Sequence, residues 1–184
     1  MNLPTKLTLA RVLAVPIIIV LLYYPNKTTC LIAAAFFIAA SLTDLLDGLL
    51  ARRGGQVTNF GKFLDPLADK ILTGSVMIML VELGWAPAWV VIVIIARETT
   101  VTGLRAMAAD VGMVLAADRY GKIKTILQIA ALIGLLVHYP LWGLNMHLIG
   151  LVLLYLALVM TVFSGVNYLY SFYKNWLNGL EKGT

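Results

Sequence analysis

Apolar residues run almost unbroken through six stretches of the chain, with polar residues crowded into the short gaps between them. The stretches lie near Leu9–Tyr24, Cys30–Leu50, Asp65–Leu83, Ala88–Ala109, Ile123–His138 and Leu148–Tyr170. Each is close to the ~17–25 residues that cross a bilayer as a helix. Backbone N–H and C=O groups cannot go unpaired in hydrocarbon, so helices are the form such runs take. The pattern predicts an all-α, polytopic membrane protein with six transmembrane helices. The first and fifth runs are short, so less tilt or extension by polar flanks is expected of them. No repeat, low-complexity tract or long linker divides the chain, so residues 1–184 read as one membrane domain.

Composition agrees with that reading. The chain is 61% hydrophobic and 12% charged, with a mean hydropathy of +0.91. A soluble domain carries about twice that charged fraction. The net charge of +5 does not suggest nucleic acid, because the basic residues sit in short segments and form no stripe. Their distribution instead predicts orientation. Lys6, Arg11, Arg52, Arg53, Lys62, Lys70, Arg105, Arg119, Lys122, Lys124, Lys174 and Lys182 fall on one side, and Lys27 alone on the other. Both termini are therefore expected in the cytoplasm, which an even number of spans requires. Reading the first run as a cleaved signal would leave five spans, and no small-residue cleavage site follows Tyr24. The single Cys30 supports no internal disulfide and reads as a buried apolar thiol.

Four of the nine acidic residues fall in one segment, DLLDGLLARRGGQVTNFGKFLDPLAD, residues 44–69. Asp44 and Asp47 share a helix face, as do Asp65 and Asp69. A short loop joins the two helices, so the pairs are expected to meet at the cytoplasmic surface. Carboxylates brought together repel unless cations lie between them. Oxygen ligands with no neighbouring His or Cys favour Mg²⁺, Mn²⁺ or Ca²⁺. Four of them suit two ions at the ~3.5–4 Å separation of two-metal phosphoryl-transfer sites. Solvated cap charges are the plainer alternative. They account for Asp65, which precedes Pro66 at an expected first turn. They do not account for Asp44 and Asp47 near a helix carboxyl end, where the dipole disfavours anions. Gly48 and Ala51 leave room for a ligand or for a neighbouring helix. Arg52 is suited to a phosphate or a carboxylate, and Gly54, Gly55 and Gly61 make the loop pliable. A metal pair beside an arginine at a membrane surface suits a pyrophosphate.

Asp44-x-x-Asp47-Gly48-x-x-Ala51-Arg52, followed at fixed spacing by Gly61, Asp65 and Asp69, resembles the signature of the CDP-alcohol phosphatidyltransferases. The resemblance extends over nearly the whole chain. NLPTKLTLAR looks like the family's short amino-terminal amphipathic segment, with Thr5 where many relatives have Asn. GKFLDPLADK, ARETTVTGLR and YGKIKTILQ look like the bacterial branch that makes phosphatidylglycerophosphate. That resemblance implies CDP-diacylglycerol as donor, sn-glycerol 3-phosphate as acceptor, and a homodimer in the inner cell membrane. It further implies that Asp44, Asp47, Asp65 and Asp69 hold two Mg²⁺ or Mn²⁺ ions. Asp44, Gly48, Ala51, Arg52 and Gly61 would meet the CDP part, and Asp69 would be the general base. His138 and His147 fall near the external loop and are read as interfacial residues, so a histidine base is not expected.

The acceptor phosphate needs cations of its own. Arg105 and Lys122 are the first candidates, followed by Arg97, Lys62 and Lys124. Arg97 lies inside the fourth span, where an ionisable group is a functional candidate, although a structural pair with Glu98 would also explain it. Some of these charges would serve orientation alone. A divalent-cation or proton-coupled transporter is the rival from another class. Against it stand the clustering of the aspartates at one face and the lack of inverted broken-helix repeats. A sister transferase using inositol phosphate or another alcohol would share the aspartate signature.

Overall fold

In the computed structural model the backbone is described for residues 3–54, 59–110 and 119–181, and the side chains for residues 8–43, 67–108 and 120–174. The described residues form six helices and no strand: α1 (Leu3–Tyr23), α2 (Lys27–Gly54), α3 (Asn59–Glu82), α4 (Ala88–Asp110), α5 (Arg119–Val137) and α6 (Met146–Glu181). Every apolar run became a helix. Most of the helices continue past their apolar run at the end rich in basic residues. There, water and side chains can satisfy the backbone of a further turn or two. The amino-terminal segment is not a separate amphipathic element. It forms the first turns of α1, which runs unbroken from Leu3 and carries Pro16 in its interior.

Tight connections at the opposite end hold the helices in an up-and-down order. Asn26 caps α2, its Oδ1 accepting from the N–H groups of Thr28 and Thr29 at 2.9 and 3.0 Å. Asn145 does the same for α6 through the N–H of Leu148. Helix α3 closes on Gly84, whose φ of 70° is left-handed. The N–H of Trp85 donates to Leu80 O and that of Gly84 to Val81 O, a Schellman stop that turns the chain into α4.

Helix α1 packs on α2 and α3, α4 packs on α6, and α5 makes the most extensive contact, also with α6. The last contact depends on two glycines. A Cβ on Gly134 would lie 2.9 Å from the Cα of Gly150, so the backbones touch where lipid provides little hydrophobic drive for association. The core is Leu, Ile, Val, Ala and Met from all six helices, with Phe37 and Cys30 fully buried among them. Outward faces are equally apolar, with Val20, Ile126, Val159 and Val166 all exposed. An apolar exterior around an apolar core is the arrangement expected of a bundle solvated by lipid. Among the described residues, Tyr120–Val137 and Met146–Lys174 are long and apolar enough to cross a membrane, and Thr8–Tyr23 and Lys27–Thr43 are shorter apolar helices.

Candidate active site

The acidic segment divides between two helices. Asp44, Asp47, Gly48, Ala51 and Arg52 lie on α2, and Gly61, Lys62, Asp65 and Asp69 lie on α3. Except for Asp69, the side chains of these residues lie outside the described residues. The backbone alone revises one expectation. Helix α3 begins at Asn59, so Asp65 and Pro66 lie well inside it and not at its first turn. A cap role for Asp65 is thereby removed. Asp44 and Asp47 fall in the carboxyl-terminal part of α2, as anticipated, and α2 packs against α3.

Asp69 is half-buried and its backbone oxygen accepts from Thr73 Oγ1 at 2.9 Å. It opens onto a cavity of about 500 Å³ between α3, α4 and α5. Arg97, Glu98 and Arg105 of α4 and Lys122 and Lys124 of α5 line the same cavity. Four of the five cations anticipated from sequence for an acceptor phosphate therefore converge beside Asp69. The amino ends of α3 and α5 and the carboxyl end of α4 meet at this end of the bundle, which is why residues so far apart in sequence come together. The fifth cation, Lys62, lies outside the described side chains.

The cations differ in setting. Lys124 is buried and forms an ion pair with Glu98. Glu98, expected as a partner for Arg97, pairs instead with Lys124, joining α4 to α5 through their side chains. Arg97 reaches to α6, where its Nη2 donates to Ser164 Oγ at 2.8 Å. Arg105 is exposed to the cavity and lies over the ring of Tyr168, 5.2 Å from its centroid. Lys122 is exposed. The chemistry on offer is a carboxylate beside a partly neutralised cationic pocket, able to receive a phosphate monoester and accept a proton from its alcohol.

Some of the site was invisible in the sequence. Lys70 and Gln128 also reach the cavity, and Arg11 is almost fully buried, its Nε donating to Ala40 O at 3.3 Å. Arg11 had been counted only with the orientation charges. Its i+3 and i+4 neighbours are apolar, a weak signal that its face is turned inward. The two histidines lie where anticipated, away from the cavity, with His138 stacked on Trp85 at 3.7 Å and edge-on to His147.

The donor set expected for a metal is entirely carboxylate oxygen, which fits a hard divalent cation. Asp69 is the one member whose side chain is described, and it faces the cavity.

The chain is similar to known proteins over most of its length. Residues 1–163 match the model of the CDP-alcohol phosphatidyltransferase family. A Bacillus subtilis protein named CDP-diacylglycerol–glycerol-3-phosphate 3-phosphatidyltransferase is 46% identical, covering 95% of both chains. Proteins of the same name from Rickettsia typhi and Yersinia enterocolitica are 39% and 37% identical; they cover 91% and 96% of this chain, and the match covers 94% and 98% of theirs. A helical bundle carrying the spaced aspartates, matched over most of its length by the family model and by these relatives, belongs to the CDP-alcohol phosphatidyltransferase family.

Proposed function

We propose that this chain transfers the phosphatidyl group of CDP-diacylglycerol to sn-glycerol 3-phosphate, forming phosphatidylglycerophosphate and releasing CMP. The relatives carry the name of that activity over nearly their full length. The observation that carries the reading is the cavity in which Asp69 faces Arg97, Arg105 and Lys122. A dianionic acceptor needs cations of this kind, and its hydroxyl needs a base close by.

In this mechanism the acceptor phosphate binds to Arg105 and Lys122, with Arg97 deeper in the cavity. Lys124 contributes less, because Glu98 already neutralises it. Asp69 accepts the proton of the acceptor hydroxyl as its oxygen attacks the phosphatidyl phosphorus in line. The departing CMP phosphate is a stable anion with a second pKa near ~6, so no acid catalyst is needed. Asp44, Asp47, Asp65 and Asp69 would hold two Mg²⁺ or Mn²⁺ ions, and Gly48, Ala51, Arg52 and Gly61 would border the CDP part. Bound divalent cations supply neutralisation of the pyrophosphate charge and a more acidic hydroxyl. The chain is further read as one domain of six spans in the inner cell membrane, its termini and site cytoplasmic, acting as a homodimer.

CMP release by the purified protein tests the reading, with CDP-diacylglycerol, Mg²⁺ and a panel of acceptors. Release that depends on glycerol 3-phosphate and is lost in Asp69→Asn is the expected result. Release with inositol phosphate or another alcohol would move the chain to a sister activity. No release from folded protein, with metal uptake into sealed vesicles, would make it a transporter.

A further inference from the structure

Two arginines of α4 end in the cavity, and both lean on the same face of α6. Arg97 crosses α6 at Gly165. A Cβ there would lie 3.0 Å from Arg97 Cγ and 3.3 Å from its Nε, so any larger residue displaces the arginine shaft. The guanidinium then donates to Ser164 Oγ at 2.8 Å, and that hydroxyl, itself buried, donates to Thr161 O. One turn further on, Tyr168 is 5% exposed and lies under Arg105. Ser164 and Tyr168 are four residues apart and Gly165 and Tyr168 three apart, so all three share one face of the helix.

We propose that Ser164, Gly165 and Tyr168 are positioning residues, a seat on α6 that aims Arg97 and Arg105 at the acceptor phosphate. The inference rests on the acceptor reading above and extends it to a helix that does not line the cavity. The physical need is clear. Arginine has many rotamers, and an arginine at the edge of a bilayer tends to swing its head toward water. Phosphate recognition by its planar fork requires a fixed direction. A glycine notch, a hydroxyl and an aromatic face hold the two heads before the acceptor arrives, which reduces the ordering that binding must impose. Ser164, Gly165 and Tyr168 all lie beyond residue 163, where the match to the family model ends.

The test is steady-state CMP release by the full-length protein in detergent, varying each substrate in turn. The variants are Gly165→Ala, Ser164→Ala, Tyr168→Leu and Tyr168→Phe. A cation–aromatic contact at an exposed guanidinium implies a rise of about two- to fivefold in the KM for glycerol 3-phosphate in Tyr168→Leu. Gly165→Ala should behave alike and Ser164→Ala more mildly. The KM for CDP-diacylglycerol should not move, and Tyr168→Phe, which keeps the ring, should restore the acceptor KM. Equal rises for both substrates, or no recovery with Phe, would show a merely structural role and overturn the proposal. Arg97→Gln and Arg105→Gln run alongside. If neither raises the acceptor KM, the acceptor reading fails. If they raise it and the α6 variants do not, the seat alone fails. The Tyr168 pair leaves the tight contact at Gly165 intact, so the test stands even if Gly165→Ala does not fold.

Discussion

Glu98 of α4 and Lys124 of α5 form an ion pair on the cavity wall, their side chains 12% and 7% exposed. A pair this buried is sensitive to the loss of either member, because the survivor keeps its desolvation cost without its partner. Lys124→Met or Glu98→Leu alone should destabilise the bundle by about 3–5 kcal/mol. The double variant Lys124→Met/Glu98→Leu should recover much of that loss. Thermal unfolding in detergent of all four proteins measures the coupling, and additive effects would mean that the pair is not a unit.

Asp69 faces the cavity from the first half of α3. Asp69→Asn keeps the shape and removes the base. Positioned general bases contribute roughly 10²–10⁴ in rate, and CMP release should fall by at least that range, with the melting temperature little changed. Wild-type turnover at normal acceptor KM would require another base.

Metal removal should abolish activity. After EDTA treatment, Mg²⁺ or Mn²⁺ should restore CMP release, because carboxylate-only ligands suit hard cations. Full activity after exhaustive chelation, verified by metal analysis, would remove the metal from the proposal.

Arg11 tests how much of the amino-terminal helix is structural. Its buried Nε donates to Ala40 O on α2, one turn before Asp44. Ala40 O keeps Thr43 Oγ1 as a donor, so Arg11→Leu should cost about 0.5–1.5 kcal/mol, the net worth of one hydrogen bond. A lower melting temperature is expected, where an orientation charge at a helix end would leave stability unchanged.

The contact between Gly134 and Gly150 should tolerate no side chain. Gly150→Ala brings a Cβ to 2.7 Å from Leu135 N. Overpacking of this kind costs about 1–3 kcal/mol, measurable as a lower melting temperature. An unchanged value would mean that α5 and α6 can separate freely.

Helix number and type were legible in the sequence because long apolar runs leave a backbone few ways to satisfy its polar groups. A run of apolar residues in lipid must satisfy its own backbone, and the six runs became α1 to α6. The spacing of Asp44, Asp47, Asp65 and Asp69 also carried information by itself, since i,i+3 and i,i+4 positions share a face in any helix. Helix ends were less legible. Polar flanks extend α2, α3 and α6 past the apolar runs, and hydropathy does not register a helix that continues into water.

Partnerships between helices belong to tertiary structure alone. Nothing in the order of residues says that Glu98 meets Lys124 and not its neighbour Arg97, that Arg97 crosses at Gly165, or that Arg11 turns inward to Ala40. Each depends on the rotation of one helix about its axis and on how closely its neighbour approaches. Those quantities are set by packing of small residues such as Gly134, Gly150 and Gly165, whose effect on the sequence pattern is slight and whose effect on the distance between backbones is large.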